Sequence, residues 1–127
     1  MSKRILIVDD NEDNRQILTD LLTAAKYEVI EAVTGPEAVT LAAQHLPALI
    51  LMDIQLPGID GLEATRRIKA DPALAGIPVI AVTSYALAGD DVKAADAGCD
   101  DYVTKPFSPR ALLAKVKAIL GQAGAAG

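Results

Sequence analysis

Tryptophan is absent from this chain, and cysteine, histidine and phenylalanine each occur once. Aromatics make up only 3% of its 127 residues, so any core must be aliphatic. The single cysteine, Cys99, cannot form an internal disulfide, which fits a reducing compartment. Long apolar runs are also missing. No segment approaches the ~20 apolar residues of a membrane-spanning helix. After the basic Met-Ser-Lys-Arg start, the run Ile5 to Val8 is shorter than the ~7–15 residues of a signal-peptide core. Positive charge is in deficit: 12 Lys and Arg against 17 Asp and Glu leave a net charge of -5. That balance argues against nucleic acid and against an anionic membrane surface as partners, because both need a basic face. The expectation is a soluble cytoplasmic protein.

Hydrophobic residues reach 51%, enough for a real core in a chain of one-domain length. Short apolar runs alternate with helical patterns. Arg4 to Val8 reads as a buried strand, and Asn11 to Ala25 places Ile17, Leu18, Leu21 and Leu22 on one helix face. Tyr27 to Ala32 reads as a half-buried strand. Thr34-Gly35-Pro36-Glu37 has the form of a capping box, ahead of Ala38, Val39, Ala42 and Ala43 on one face. Ala48 to Met52 is a third strand. Asp53 to Gly61 is a loop by its Pro and Gly content. A helix then runs to about Ala70, with Leu62, Thr65 and Ile68 inward and Arg66, Arg67 and Lys69 on its solvated face.

Ile77 to Val82 is a fourth strand. Asp90 to Ala97 is a weakly amphipathic helix closed by Gly98, with only Val92 larger than alanine among its apolar residues. Asp101 to Thr104 is a fifth strand. Ser108-Pro109 caps a last helix striped by Leu112, Leu113, Val116, Ile119 and Leu120. Five β-α units imply an α/β domain whose parallel sheet is covered on both faces. It is expected over residues 1–121, with 122–127 as a flexible tail. No output domain is expected after Leu120, so action through contact with other proteins is anticipated.

In an open sheet of this kind, ligands bind beyond the carboxyl ends of the strands, where strand order reverses. The residues after the predicted strands are Asp9 and Asp10, then Asp53, then Thr83 and Ser84, then Lys105. In a 2-1-3-4-5 order the first and third strands are neighbours, and the three carboxylates converge. Taken singly, Asp9 and Asp10 could cap the following helix and Asp53 could be a solvated loop acid. Together, three acids beside one lysine call for a counter-charge. An oxygen-only donor set with few ligands suits Mg2+, which keeps several waters. His45 near a helix end reads as a dipole-compensating surface residue, and Cys99 as a small core or near-surface thiol with nothing basic adjoining it in sequence.

"LIVDDNE", "LILMDIQLPGIDG", "VIAVTSYA" and "GCDDYVTKPF", in this order and spacing, resemble the receiver domains of response regulators in bacterial two-component signalling. The resemblance spans essentially the whole chain. "LILMDIQLP" and the Gly98-Cys99 pair look most like the single-domain cell-cycle regulators of the DivK type. It implies the flavodoxin-like receiver fold: a doubly wound, five-stranded parallel sheet in 2-1-3-4-5 order. It also implies that Asp53 is the phosphoacceptor and that Asp10 and Asp53 ligate Mg2+ directly. Asp9 would act through water, and the backbone carbonyl of Gln55 would be a further ligand. Lys105 and Thr83 would stabilise the phosphoryl group, Thr83 and Tyr102 would act as the switch pair, and Lys105-Pro106 would be a cis peptide. The implied partners are a histidine kinase or histidine phosphotransfer protein and a downstream protein target.

Three rivals are weighed against this reading. A haloacid-dehalogenase-like phosphatase would place an acid two residues after its nucleophile, where this chain has Gln55. A phosphorylation-independent pseudo-receiver would have no need of Asp9, Asp10, Asp53, Thr83 and Lys105 together. A flavin-binding module would want a hydroxyl- and glycine-rich loop where "DDNED" would repel phosphate.

Overall fold

The computed structural model describes residues 3–56, 58–83, 90–104 and 108–125. Its strands are β1 (Arg4–Val8), β2 (Glu28–Ala32), β3 (Leu49–Asp53), β4 (Val79–Thr83) and β5 (Asp101–Thr104). Its helices are α1 (Glu12–Ala24), α2 (Gly35–His45), α3 (Gly61–Ala70), α4 (Asp90–Ala97) and α5 (Pro109–Ala125). All strand pairs are parallel, in the order β2-β1-β3-β4-β5, as expected.

The apolar strands are divided by their period of two. Leu6, Val8, Ile50, Met52 and Val79 face one layer, where they meet Ala38 and Ala42 of α2 and Ala64 and Ile68 of α3. Ile5, Ile7, Leu49, Leu51 and Ile80 face the other, against Leu18 and Leu22 of α1 and Leu112, Val116 and Leu120 of α5. The largest fully buried side chains are all Ile, Leu or Met, so the core is aliphatic.

The starts of α1, α2, α3 and α5 have a local cause. Asn11 caps α1 through Asn14 N–H (3.0 Å), Asp60 caps α3 through Glu63 N–H (2.9 Å), and Ser108 Oγ accepts from Ala111 N–H (3.3 Å). Thr34 Oγ1 accepts from Glu37 N–H (3.2 Å). The returning Glu37 carboxylate takes the N–H of Val33, one residue ahead of the cap, so the predicted capping box closes one step early.

Three expected placements differ. Ile17 is 53% exposed, because the α1 stripe centres on Leu18 and Leu22 and leaves Ile17 on its flank. Ala43 likewise faces solvent on α2. Lys69 does not join the solvated Arg66 and Arg67. Its side chain is only 19% exposed, and Nζ donates to Ala75 O (3.2 Å), Ile77 O (2.7 Å) and Asp100 Oδ2 (3.1 Å). Asp100 Oδ2 also accepts the Val79 N–H (2.8 Å), and Asp100 N–H donates to Val79 O (2.7 Å). The lysine stem crosses Gly98, where a Cβ would lie 2.8 Å from Lys69 Cγ and where φ is +104°, so glycine suits both demands.

Helix α4 is thinly anchored. Ala94 and Ala97 pack with Leu62 and Ala81, while Val92 is 57% exposed. By contrast, α5 buries Leu112, Val116 and Leu120, each worth about 1.5–3 kcal/mol of apolar burial.

Candidate functional site

Register brings the acids together. Val8 pairs with Met52, so the next residues, Asp9 and Asp53, come level on adjacent strands. Asp53 pairs with Val82, which puts Thr83 one step further along the same rim. The carboxylates of Asp9, Asp10 and Asp53 each present an oxygen within 4.8 Å of the others. Asp9 is 2% exposed and Asp53 5%, while Asp10 faces solvent.

The alternative roles for these acids fail on geometry. Asn11, rather than Asp9 or Asp10, caps α1. Asp53 is the buried last residue of β3, so it is no solvated loop acid. Both buried acids are aimed in the same way. Asp9 Oδ1 accepts the Asn11 N–H (2.9 Å), and Asp53 Oδ1 accepts the Gln55 N–H (3.0 Å), each an Asx-type turn two residues on. Gln55 itself is exposed at the rim.

Gly61 makes this arrangement possible. Its N–H donates to Ile54 O at 2.9 Å, and a Cβ there would fall 2.0 Å from Asp53 O. The first turn of α3 therefore lies against the backbone of Asp53. Sequence reasoning took Gly61 only as a loop glycine, and no local pattern reveals such a close approach. Inside the helix, Thr65 is buried as expected, its hydroxyl donating to Gly61 O at 2.8 Å.

Thr83 is 2% exposed at the end of β4. Tyr102 is half-buried on β5, level with Ala81, and packs against the Leu62, Ala81, Ala94 and Ala97 cluster. A shallow groove of about 180 Å³ lies beside it, lined by Ala94, Ala95, Cys99, Asp100 and Asp101. Lys105 and Pro106 lie outside the described residues, as do Ser84, Tyr85 and Phe107. His45 sits exposed in the last turn of α2, as expected for dipole compensation. Cys99 is half-buried, with Sγ 3.9 Å from Thr65 Oγ1. Burial raises its thiol pKa and the nearby Asp100 adds to this, while Thr65 and Lys69 act in the opposite sense.

Three carboxylates in such proximity form a hard, oxygen-only donor set, with no nitrogen or sulfur ligand in the cluster among the described residues. Two unit charges at about 4.8 Å repel by about 3.5 kcal/mol at an effective dielectric near 20. A divalent cation converts that repulsion into attraction, and the donor chemistry fits Mg2+.

An open parallel sheet with this acid cluster at its switch point has the architecture of a two-component signalling receiver. The chain belongs to the response regulator receiver domain family, whose model matches residues 5–117. It is 46% identical to the polar-differentiation response regulator DivK of Brucella ovis over 123 residues, covering 97% of this chain and all of that protein. A CheY-like response regulator receiver domain protein from Methanospirillum hungatei superposes with a TM-score of 0.91 at 35% identity, over the full length of both chains. The receiver domain of a Pseudomonas aeruginosa sensor histidine kinase gives a TM-score of 0.88 at 36% identity, covering 95% of this chain and 99% of that one. That structure holds a magnesium ion coordinated in its active-site cleft. Receiver domains bind Mg2+ in the active site, interact with histidine kinases and downstream targets, and serve as signalling switches rather than catalysts. Among the described residues, no helix is long and apolar enough to cross a membrane.

Proposed function

We propose that this chain is a phosphorylation-dependent switch that takes a phosphoryl group onto Asp53 from the phosphohistidine of a histidine kinase or phosphotransfer protein. The observation that carries the reading is the convergence of Asp9, Asp10 and Asp53 within 4.8 Å at the carboxyl rim of the sheet. Asp10 and Asp53 would hold Mg2+ directly and Asp9 through water, with the Gln55 carbonyl as a further protein ligand. When bound, the ion offsets the repulsion between an anionic nucleophile and an anionic phosphoryl group. A carboxylate oxygen of Asp53 attacks phosphorus while the bond from phosphorus to the imidazole nitrogen breaks. The product is an aspartyl phosphate, and water later returns it to carboxylate and inorganic phosphate. Asp53 is already aimed by its bond to the Gln55 N–H, so little reorganisation precedes attack.

Thr83 and Lys105 receive the new phosphoryl oxygens. Thr83 stands next to Val82, the register partner of Asp53, within one residue of the acceptor. Its movement opens room that Tyr102 fills, and the surface formed by α4, β5 and α5 changes for a protein partner. The slight burial of α4 supports this, because a helix held by two alanines moves at low cost. The receiver unit is taken as residues 1–121, with α5 running on to Ala125, and the setting is cytoplasmic. Incubation with acetyl phosphate and Mg2+ tests the reading. Wild type is expected to gain acid-labile phosphate (about 80 Da by intact mass), and Asp53→Asn none. Labelling that persists in Asp53→Asn refutes the assignment.

A further inference from the structure

Arg15 is a charged side chain at the acid rim to which the proposed chemistry gives no role. It sits near the start of α1, and its side chain is only 15% exposed. Nη1 donates to the Asp9 carbonyl oxygen at 2.9 Å, and Nε donates to Glu31 Oε1 at 3.2 Å. The Asp9 carbonyl belongs to the peptide that carries Asp10. Asp9 also donates its N–H to Ala32 O (3.1 Å) and accepts the Asn11 N–H at its Oδ1 (2.9 Å). The first bond lies on the Asp9 side of the peptide, whereas the second spans it and ends on the amide that follows Asp10. Asp10 is exposed, and the helix proper begins only at Glu12. The plane of the 9–10 peptide therefore sets the direction in which the Asp10 side chain leaves the backbone.

We propose that Arg15 is a positioning residue for the acid pair: its bond to the Asp9 carbonyl fixes the 9–10 peptide so that the Asp10 carboxylate meets Asp53. Glu31, from edge strand β2, aims the guanidinium and neutralises it. The neutralisation matters because an uncompensated cation at this rim opposes a divalent ion. This inference rests on the Mg2+ reading above. Outer partners of metal ligands commonly contribute about 10–100-fold to metal affinity.

Two effects of removing Arg15 have opposite signs, which makes the test decisive. Losing a mere positive charge tightens Mg2+ binding, whereas losing a positioning bond weakens it. Mg2+ is titrated calorimetrically into wild type, Arg15→Met and Arg15→Lys, with the metal-free unfolding midpoint and the exchange rate of the Asn11 amide measured for each. Arg15→Met is expected to remain folded, to bind Mg2+ about 10-fold more weakly and to exchange the Asn11 amide faster. Arg15→Lys, which keeps a donor, should recover most of the affinity. Equal or tighter Mg2+ binding by Arg15→Met overturns the inference. If wild type itself binds no Mg2+, the metal reading fails, and unchanged Asn11 exchange in Arg15→Met then overturns the positioning role separately. Should Arg15→Met not fold, Glu31→Gln takes its place: weaker Mg2+ binding than wild type supports the inference, and unchanged affinity overturns it.

Discussion

Replacing Asp10 by asparagine should stabilise the protein without metal and remove the benefit it draws from metal. In the metal-free protein, Asp10 shares a cluster with two other carboxylates, all within 4.8 Å of one another. Each pair of unit charges at about that distance repels by about 0.9 kcal/mol in bulk water and about 3.5 kcal/mol at an effective dielectric of 20. Asp10 is exposed, so solvent and salt hold its two repulsions near the lower figure, together about 2 kcal/mol. For a domain of this size that corresponds to a rise of roughly 6–10 °C in the unfolding midpoint. Mg2+ at about 100 times its dissociation constant adds about 2.7 kcal/mol to wild type. On the proposed ligation, Asp10→Asn would lack a direct ligand and should gain almost nothing. Thermal unfolding followed by circular dichroism, in EDTA and in saturating Mg2+, should therefore give opposite rank orders. A lower midpoint for Asp10→Asn in EDTA, or an undiminished rise with Mg2+, would refute the electrostatic argument.

Lys69→Met should lower stability by about 2–3 kcal/mol, because two backbone carbonyls and Asp100 lose a charged donor; a urea midpoint within error of wild type would mean that Lys69 is merely solvated. Gly61→Ala would ordinarily favour a helix by about 1 kcal/mol. Here the new methyl would meet Asp53 O at 2.0 Å, so a loss of about 3 kcal/mol or more is expected in urea unfolding, together with weakened Mg2+ binding. Cys99 should react with iodoacetamide far more slowly in the folded protein than in urea, since burial raises its thiol pKa. A folded-state thiol pKa above the unfolded one stabilises the protein fully below the unfolded value and loses that contribution as pH rises through the folded one. Stability measured from pH 8 to 11 should accordingly fall in that window by more in wild type than in Cys99→Ala.

The acids were legible because their signal is local: apolar strands that end abruptly in carboxylates, at positions the parallel topology brings to one rim. Asp53 was read as the first loop residue and proves to be the last of β3, a shift of one that leaves its place on the rim unchanged. The fourth strand begins at Val79 rather than Ile77, whose carbonyl serves Lys69 instead. Lys69 itself could have been found: it follows Thr65 by four residues, on the stripe shared by Leu62, Thr65 and Ile68. Its grouping with Arg66 and Arg67 obscured that periodicity. Ile17 fails for the complementary reason, since apolar residues at the margin of a helix stripe need not be covered. Gly61 and Arg15 left no trace in the sequence, because each acts on a main-chain oxygen, and backbone atoms carry no residue signature.

The Lys69–Asp100 junction also decides how α4 can move. The helix is tied down just past Ala97, where Asp100 is bonded to both Lys69 and Val79, and among the described residues the small side chains of Ala94 and Ala97 are what it buries. A tilt of the helix would therefore pivot at the rim of the sheet opposite the acids. Its 8 residues span about 12 Å, so a tilt of about 10° carries Asp90 some ~2 Å sideways while Asp100 stays in place. Such a tilt would deliver its amplitude at the end of the helix nearest Thr83 and leave the ladder between β4 and β5 undisturbed.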